Sequence, residues 1–260
     1  MTTPTIRLTG FGYGTARDRH DTRDHVYEPP ARFTRHLPQT VDLRPHMPPV
    51  YNQRHLNSCS ANAIAAALWF NERHRHGNTR YPSPSRLFIY FNERAIDGIV
   101  TQNGPVSLRS GYKTVNRDGV CSERLWPYDV RRFRRKPTAR CRQIAKEHRA
   151  VRYMRVPANL TDMRACLANH QPFTFGFSVH ATFKSRLVKQ TGVVPLPTHL
   201  DKTLGGHAML VVGYFDDSRH FIARNSWGSS WGDRGYCYIP YHYLLDPNLA
   251  WDFWTVSRVT

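Results

Sequence analysis

The sequence predicts an α+β protein whose first half is mainly helical and whose second half is mainly strand. Apolar residues recur at helical spacing in the stretches 58–73, 107–116 and 160–169. From residue 172 onward the pattern changes to short β-branched or aromatic runs bounded by Gly, Asp or Pro. Because the two kinds of pattern are segregated along the chain, we expect a helical part packed against a sheet part.

The clearest helical pattern covers residues 58–73. Its apolar side chains fall at i, i+3, i+4 and i+7 and form one stripe. Asn57 or Ser58 can cap the start of this helix. A second helix is predicted over 107–116, ending before Gly119, and a short third helix over 160–169. The predicted strands cover 173–179, 208–215, 221–225 and 236–239.

Residues 1–40 differ from the rest of the chain because they combine glycines, prolines and charges with little periodicity. We interpret them as an N-terminal arm or short pro-segment that lies on a body beginning near Val41. Residues 41–260 are long enough to bury a substantial core as one domain.

The chain is strongly basic, with 37 Lys and Arg against 19 Asp and Glu and a formal net charge of +18. Such an excess favours acidic partners, which include nucleic acid. The dense basic run 131–136 is more typical of a solvated loop than of a nucleic-acid contact. No apolar run is long enough to span a membrane. The start lacks the apolar core of a secretory signal, so the compartment is unknown: cytoplasmic, or exported by another route.

The five cysteines are an odd number, so at least one has no partner within the chain. No CxxC pair is present, which argues against a zinc ribbon or a thioredoxin-type motif, and no metal or cofactor is expected. Spacing alone does not give disulfide pairing. A bridge between Cys121 and Cys141 stays open at this point.

Four polar residues carry a possible catalytic chemistry. Cys59 lies at the start of the first predicted helix, where the free N–H groups and the helix dipole favour a thiolate. His207 stands at the beginning of a buried strand, and an Asn225 carbonyl can fix its tautomer. The Gln53 amide can donate to an oxyanion alongside the Cys59 backbone N–H. Each residue alone is more often structural, and only the four together indicate catalysis.

In sequence order, this set resembles the papain-like cysteine peptidases. Gln53 precedes Cys59 by six residues, and the order Gln, Cys, His, Asn is the family's order. The most specific segment holds two tryptophans and several glycines in register. The matching pieces are Gly206-His207-Ala208 and Asn225-Ser226-Trp227-Gly228, followed by Trp231-Gly232 and Gly235-Tyr236. The resemblance covers residues 41–260.

The resemblance implies a two-lobe papain-like fold, with a helical lobe mainly in 53–130, an antiparallel sheet or barrel lobe mainly in 131–250, and the active-site cleft between them. Cys59 would attack the peptide carbonyl as a thiolate paired with the His207 imidazolium. Asn225 would orient the imidazole, Gln53 would line the oxyanion hole, and Trp227 would cover the bond between Asn225 and His207. The residues expected near the substrate are Asn57, Gly104, Gly206 and Ala208.

Three positions depart from the family pattern. Leu56 replaces a disulfide cysteine, Asn57 replaces a glycine, and Ser60 replaces the aromatic residue that commonly follows the nucleophile. These changes fit a bacterial-type branch and affect the shape of a subsite. Asn57 tolerates positive φ, so the local turn can survive, although its side chain would crowd the substrate.

The sequence leaves alternatives open. The leading function is a cysteine peptidase acting on protein or peptide substrates, with the arm as a blocking, zymogen-like segment or as a strap on the surface. The same triad could transfer the acyl group to another acceptor. A third alternative is a catalytically idle basic protein that uses the peptidase scaffold to bind nucleic acid.

Overall fold

The computed structural model describes residues 14–150 and 152–257, so residues 1–13 of the predicted arm lie outside the described residues, as do 151 and 258–260 of the predicted domain. The α-helices are α1 (Ala31–Arg35), α2 (Cys59–Phe70), α3 (Arg86–Ile96), α4 (Leu108–Arg117), α5 (Ala139–Ala145), α6 (Leu160–Ala168), α7 (Arg186–Thr191) and α8 (Tyr241–Leu245). The strands are β1 (Thr15–Ala16), β2 (Thr40–Asp42), β3 (Val106–Ser107), β4 (Tyr153–Arg155), β5 (Phe173–His180), β6 (Thr203–Phe215), β7 (His220–Arg224), β8 (Tyr236–Pro240) and β9 (Ala250–Val256).

The three predicted helices and four predicted strands are confirmed as α2, α4, α6, β5, β6, β7 and β8. Two long elements were not predicted. α3 contains a Leu-Phe-Ile-Tyr-Phe run that has strand propensity, yet the Ser85 hydroxyl caps it by accepting from the Phe88 N–H. β9 gains its strand conformation by pairing with β4 and β5, which are distant in the sequence.

Helix α2 runs through the middle of the molecule. The sequence predicts one buried stripe, but nearly every residue from Cys59 to Phe70 is buried, including the alanines outside that stripe. The helix packs against α3, α4 and β6, and its small side chains allow these neighbours to approach closely. It continues into a π-helical turn over Asn71–Arg75. Burial on all sides fixes the position of its first residue, Cys59.

The main sheet has seven strands in the order β4-β9-β5-β6-β7-β8, with β2 also paired to β6, and each pairing in it is antiparallel. β6 is its central strand. One apolar core lies between the helices and the sheet, and a second, rich in aromatic rings, lies on the other side under α6 and α8. The division into a helical lobe over 53–130 and a sheet lobe over 131–250 stays a prediction.

The cysteines form no disulfide. All five are free and buried, so the bridge between Cys121 and Cys141 that the sequence left open is absent. The Cys141 sulfur instead accepts a hydrogen bond from Thr138 Oγ1 at 3.1 Å, inside the N-terminal cap of α5. The fold is therefore held by packing and hydrogen bonds.

The described part of the arm contacts the rest of the molecule at several places. β1 pairs in parallel with β3, and the Val106 N–H donates to the Gly14 carbonyl at 3.0 Å. Further along, Tyr27 is buried and its N–H donates to the Arg155 carbonyl at 2.7 Å.

Within 14–150 and 152–257, no helix combines the length and apolar character needed to cross a bilayer. The same residues contain no group of three or more His, Cys, Asp or Glu arranged to hold a metal ion.

Candidate active site

Cys59 is the first residue of α2, and its side chain is completely buried. Its sulfur lies 3.3 Å from the hydroxyl of Thr15 in the arm. Backbone hydrogen bonds reach the sulfur from Ala208, Gly14 and Ser60. Because Ala208 directly follows His207 on β6, the thiol from the helical side and the histidine from the sheet lie near each other.

His207 is fully buried and hydrogen-bonded to Asn225. The Nε2 of His207 lies 2.8 Å from the Asn225 Oδ1, which also accepts the Ser226 N–H at 2.8 Å. A carbonyl oxygen can only accept, so Nε2 carries the proton and donates. The other ring nitrogen, Nδ1, has no hydrogen-bond partner among the described residues. The neutral ring therefore keeps Nδ1 available as a base.

Trp227 lies against the imidazole. The ring centroids of Trp227 and His207 are 4.9 Å apart with 29° between the planes. Behind it, Trp231 meets Trp227 edge to face at 5.3 Å and Phe183 packs on both. These rings exclude water from one side of the bond between His207 and Asn225.

Gln53 is buried beside the same segment. Its Nε2 donates to the Leu56 carbonyl at 2.8 Å, and its Oε1 accepts from the Ser226 hydroxyl at 2.5 Å. The backbone N–H of Gln53 also donates to the Ser226 carbonyl at 2.8 Å. Ser226 thus connects Gln53 to Asn225 and fixes which end of the Gln53 amide is the acceptor.

Two of the four positions expected near substrate, Gly206 and Asn57, lie against the arm. A methyl group on Gly206 would overlap the Thr15 carbonyl, so the missing side chain makes room for the arm. Asn57 also contacts the arm at Gly14, and it is held by Asn103, whose Oδ1 accepts the Asn57 N–H at 2.8 Å. The left-handed backbone in this loop falls on Arg54, not on Asn57. Gly104 lies next to Asn103, and Ala208 contributes its backbone to the sulfur.

Burial changes the protonation of Cys59 and His207 in this arm-covered form. Burial raises the pKa of the Cys59 thiol, and the hydrogen bond from Thr15 only partly offsets this effect. Burial also lowers the pKa of His207 to about 4, against the opposing effect of the Asn225 bond. Both shifts favour the neutral thiol and the neutral imidazole over the thiolate–imidazolium pair that the resemblance implied.

The arm is held next to the site by a cluster of charged side chains that we call the latch: Asp18, Asp24, Arg109, Arg155 and Asp252. The Asp18 carboxylate is fully buried and accepts from the Trp254 Nε1 at 2.7 Å and from the Arg109 backbone N–H at 3.1 Å. Arg155 contacts all three carboxylates, and Arg109 contacts Asp24.

The comparisons with known proteins agree with this geometry. A family model described as "Papain family cysteine protease" matches residues 37–243. The chain belongs to the papain family of cysteine proteases. The enzyme is therefore a hydrolase, as the sequence predicted, and its papain-like α+β fold is confirmed.

The enzyme is similar to xylellain, a cysteine protease from Xylella fastidiosa, with 39% identity, a TM-score of 0.89, and coverage of 99% of this chain and 100% of that one. It is 40% identical over 217 residues to an uncharacterized peptidase C1-like protein of Acanthamoeba polyphaga mimivirus, covering 80% of this chain and 70% of that protein. It is 28% identical to mouse cathepsin K over 247 residues, covering 90% and 68%. The match to xylellain agrees with the predicted bacterial-type branch.

Sequence reasoning missed several residues of the site. Thr15 has no sequence signal, because its contact with Cys59 spans 44 positions of the chain. Tyr128, whose hydroxyl lies 2.6 Å from the Ser58 Oγ and donates to the Gln53 carbonyl at 2.9 Å, is 75 positions from Gln53 along the chain, so no local pattern indicates this contact. Glu93, whose carboxyl accepts from Ser60, lies in the helix that was not predicted.

Proposed function

We propose that this protease hydrolyses peptide bonds of protein or peptide substrates through a triad of Cys59, His207 and Asn225. The supporting observation is the bond between the His207 Nε2 and the Asn225 Oδ1, which leaves the Nδ1 unpartnered on the strand that also brings Ala208 to the sulfur. In the first step, the Nδ1 accepts the thiol proton and the sulfur bonds to the peptide carbonyl carbon.

The rest of the reaction follows from the same groups. The resulting oxyanion accepts hydrogen bonds from the Gln53 amide and the Cys59 backbone N–H. The His207 imidazolium then protonates the leaving amine as the tetrahedral intermediate collapses to a thioester. Water, deprotonated by the Nδ1, hydrolyses this thioester and regenerates the thiol.

The test of the triad uses labelling and turnover together. We expect Cys59→Ala to abolish both hydrolysis of a fluorogenic peptide and labelling by an epoxide-type thiol reagent, and His207→Ala to abolish nearly all turnover. Asn225→Ala should keep partial activity, because Asn225 orients the ring and does not react. Cys237→Ala is the matched control, since Cys237 is also a fully buried thiol. Full turnover by Cys59→Ala would end the proposal.

We further propose that the arm blocks the cleft in cis. Support comes from the Thr15 hydroxyl at 3.3 Å from the Cys59 sulfur, from the complete burial of Cys59, and from the pairing of Gly14 with Val106. A substrate carbonyl must reach the sulfur, so the arm and the substrate exclude one another. The arm must leave, or be cleaved, before turnover.

A single methyl group tests the block. A side chain on Gly14 would overlap Asn57, so Gly14→Ala should displace the arm and increase the initial rate of peptide hydrolysis. Ala16→Ser is the matched control, since Ala16 is exposed and lies two residues further along the same arm, in β1. An unchanged initial rate in a folded Gly14→Ala variant would favour a structural strap.

No observation favours acyl transfer or nucleic-acid binding over hydrolysis, and both stay sequence-based alternatives.

A further inference from the structure

Glu93 is a carboxyl group buried completely beneath the first turn of α2. Its Oε1 accepts a hydrogen bond from the Ser60 hydroxyl at 2.8 Å, and Ser60 directly follows Cys59 in the chain. Its Oε2 has no hydrogen-bond partner among the described residues, and none of them forms an ion pair with it. None of the catalytic steps above uses this group.

The neighbouring arginine does not neutralise Glu93. The guanidinium of Arg94 is turned to the backbone, where it donates to the carbonyls of Val100 at 2.7 Å and Gln102 at 2.9 Å, and to that of Phe133. An ionised carboxylate without a cation is costly to bury. Burial accordingly raises the pKa of Glu93 well above its ordinary value. The Ser60 hydrogen bond and Arg94 oppose this shift, while the nearby Cys59 and Asp97 act in the same direction as burial.

The fold makes room for this carboxyl. Gly111 on α4 faces it, and a Cβ at that position would lie 2.8 Å from the Oε2. Three helices therefore meet at Glu93: α2 with Ser60, α3 with Glu93 itself, and α4 with a glycine. The charged or titratable groups that interact with it include Cys59 from α2, and Tyr90, Arg94 and Asp97 from the α3 side.

We propose that Glu93 is a positioning residue for the nucleophile: as a neutral acid it holds Ser60, and through Ser60 it fixes the first turn of α2 that carries Cys59. The proposal rests on the proposed role of Cys59. Ser60, which stands where the family commonly has an aromatic residue, supplies the hydroxyl that donates to Glu93. A neutral carboxyl also avoids placing a negative charge beside a thiolate.

The test compares Glu93→Gln, Glu93→Ala and Ser60→Ala in the full chain, with thermal unfolding as a check on folding. Glu147→Gln is the matched control, because Glu147 is exposed. A glutamine carbonyl still accepts from Ser60, so Glu93→Gln should keep kcat within about 3-fold of wild type and leave its pH profile unchanged from about pH 5 to about pH 8. Glu93→Ala and Ser60→Ala should each lower kcat by roughly 10-fold or more with little change in KM, since a misplaced nucleophile slows chemistry.

The two losses should not add in the double variant, because both remove the same hydrogen bond. Wild-type kcat in a folded Glu93→Ala variant, or equal damage by Glu93→Gln and Glu93→Ala, would overturn the proposal. If Glu93→Ala does not fold, the comparison of Ser60→Ala with Glu93→Gln takes its place. A normal kcat in Ser60→Ala would then overturn the proposal. Failure of the triad is distinguishable, since Cys59→Ala would then retain turnover whatever Glu93 does.

Discussion

At the scale of single residues, Ser226 explains how the two halves of the site keep their orientation. Its N–H and hydroxyl donate to Asn225 and to Gln53, so both amides are fixed with their oxygens toward Ser226. An amide whose oxygen is fixed has its NH₂ end fixed as well. One hydrogen of the Gln53 amide is donated to the Leu56 carbonyl, so the other is the one that would donate to the oxyanion in the proposed reaction, with the amide already oriented.

We expect Gln53→Ala to lower kcat by about 100-fold, the usual scale for one oxyanion donor, with a smaller effect on KM. The measurement is steady-state hydrolysis of a fluorogenic peptide by the full chain. Gln143→Ala serves as the control, because Gln143 lies on α5, far along the chain from the site. A change of less than about 3-fold would mean that the oxyanion is stabilised by other groups.

The motif residues of the site could be predicted because they occur in a specific order. His207, Asn225 and Trp227 lie in contact as the resemblance implied. Thr15 and Glu93 could not be predicted, since each is brought to Cys59 by tertiary packing. The expected ion pair also depended on solvent access, which the sequence does not specify, and in the arm-covered form burial favours the neutral pair instead.

At the scale of elements, the part of the arm beside the site, residues 14–24, is held by buried polar groups. The Asp18 carboxylate is fully buried in the latch, and Arg17 lies over the Trp251 ring at 4.3 Å. Removing a partner from buried donors costs more than the bond itself contributes. The latch therefore gives the arm a defined closed position while leaving it dependent on a few contacts.

We expect Asp18→Ala to open the arm, because the Trp254 Nε1 and the Arg109 N–H would lose their acceptor. The lost hydrogen bonds should raise the open population, and with it the initial rate, by roughly 10-fold. Asp21→Ala is the control, since Asp21 is in the same arm and pairs with the exposed Arg23. Equal rates for the two variants would show that the latch does not hold the arm closed.

Element type could be predicted where local periodicity and tertiary environment agree, as in α2 and β6. The prediction failed at α3, where a strand-like run forms a helix because of its Ser85 cap and its packing on α2 and α4. It also failed at β9, whose pairing partners are distant in the sequence. Neither environment is encoded within the window that a local pattern covers.

At the scale of the whole molecule, closure of the arm should depend on pH. His207 is held neutral with its pKa at about 4, below its ordinary value of 6.5, so the closed form loses stability as pH falls from about 6.5 to about 4. The raised pKa of Cys59 has the opposite sense: the closed form loses stability as pH rises above the ordinary value of 9.0. Protonation of Asp252, whose pKa is raised by burial and by Asp18, favours closure in acid and opposes His207.

We expect the protection of the Val106 amide, which donates to Gly14, to be lower near pH 5 than near pH 7. Hydrogen exchange followed by mass spectrometry measures it, after correction for the intrinsic rate. His207→Ala should remove most of the difference. Greater protection at the lower pH would show that Asp252 controls closure in this range.

The net charge of +18 has no assigned partner, and the family and the cleft follow from local motifs without it.

The absence of disulfides has a practical consequence. Because all five thiols are free in the folded chain, a strong reductant that keeps Cys59 in its active oxidation state breaks no cross-link. This protease should therefore tolerate the reducing conditions of its own assay, and its unfolding temperature should be the same with and without dithiothreitol.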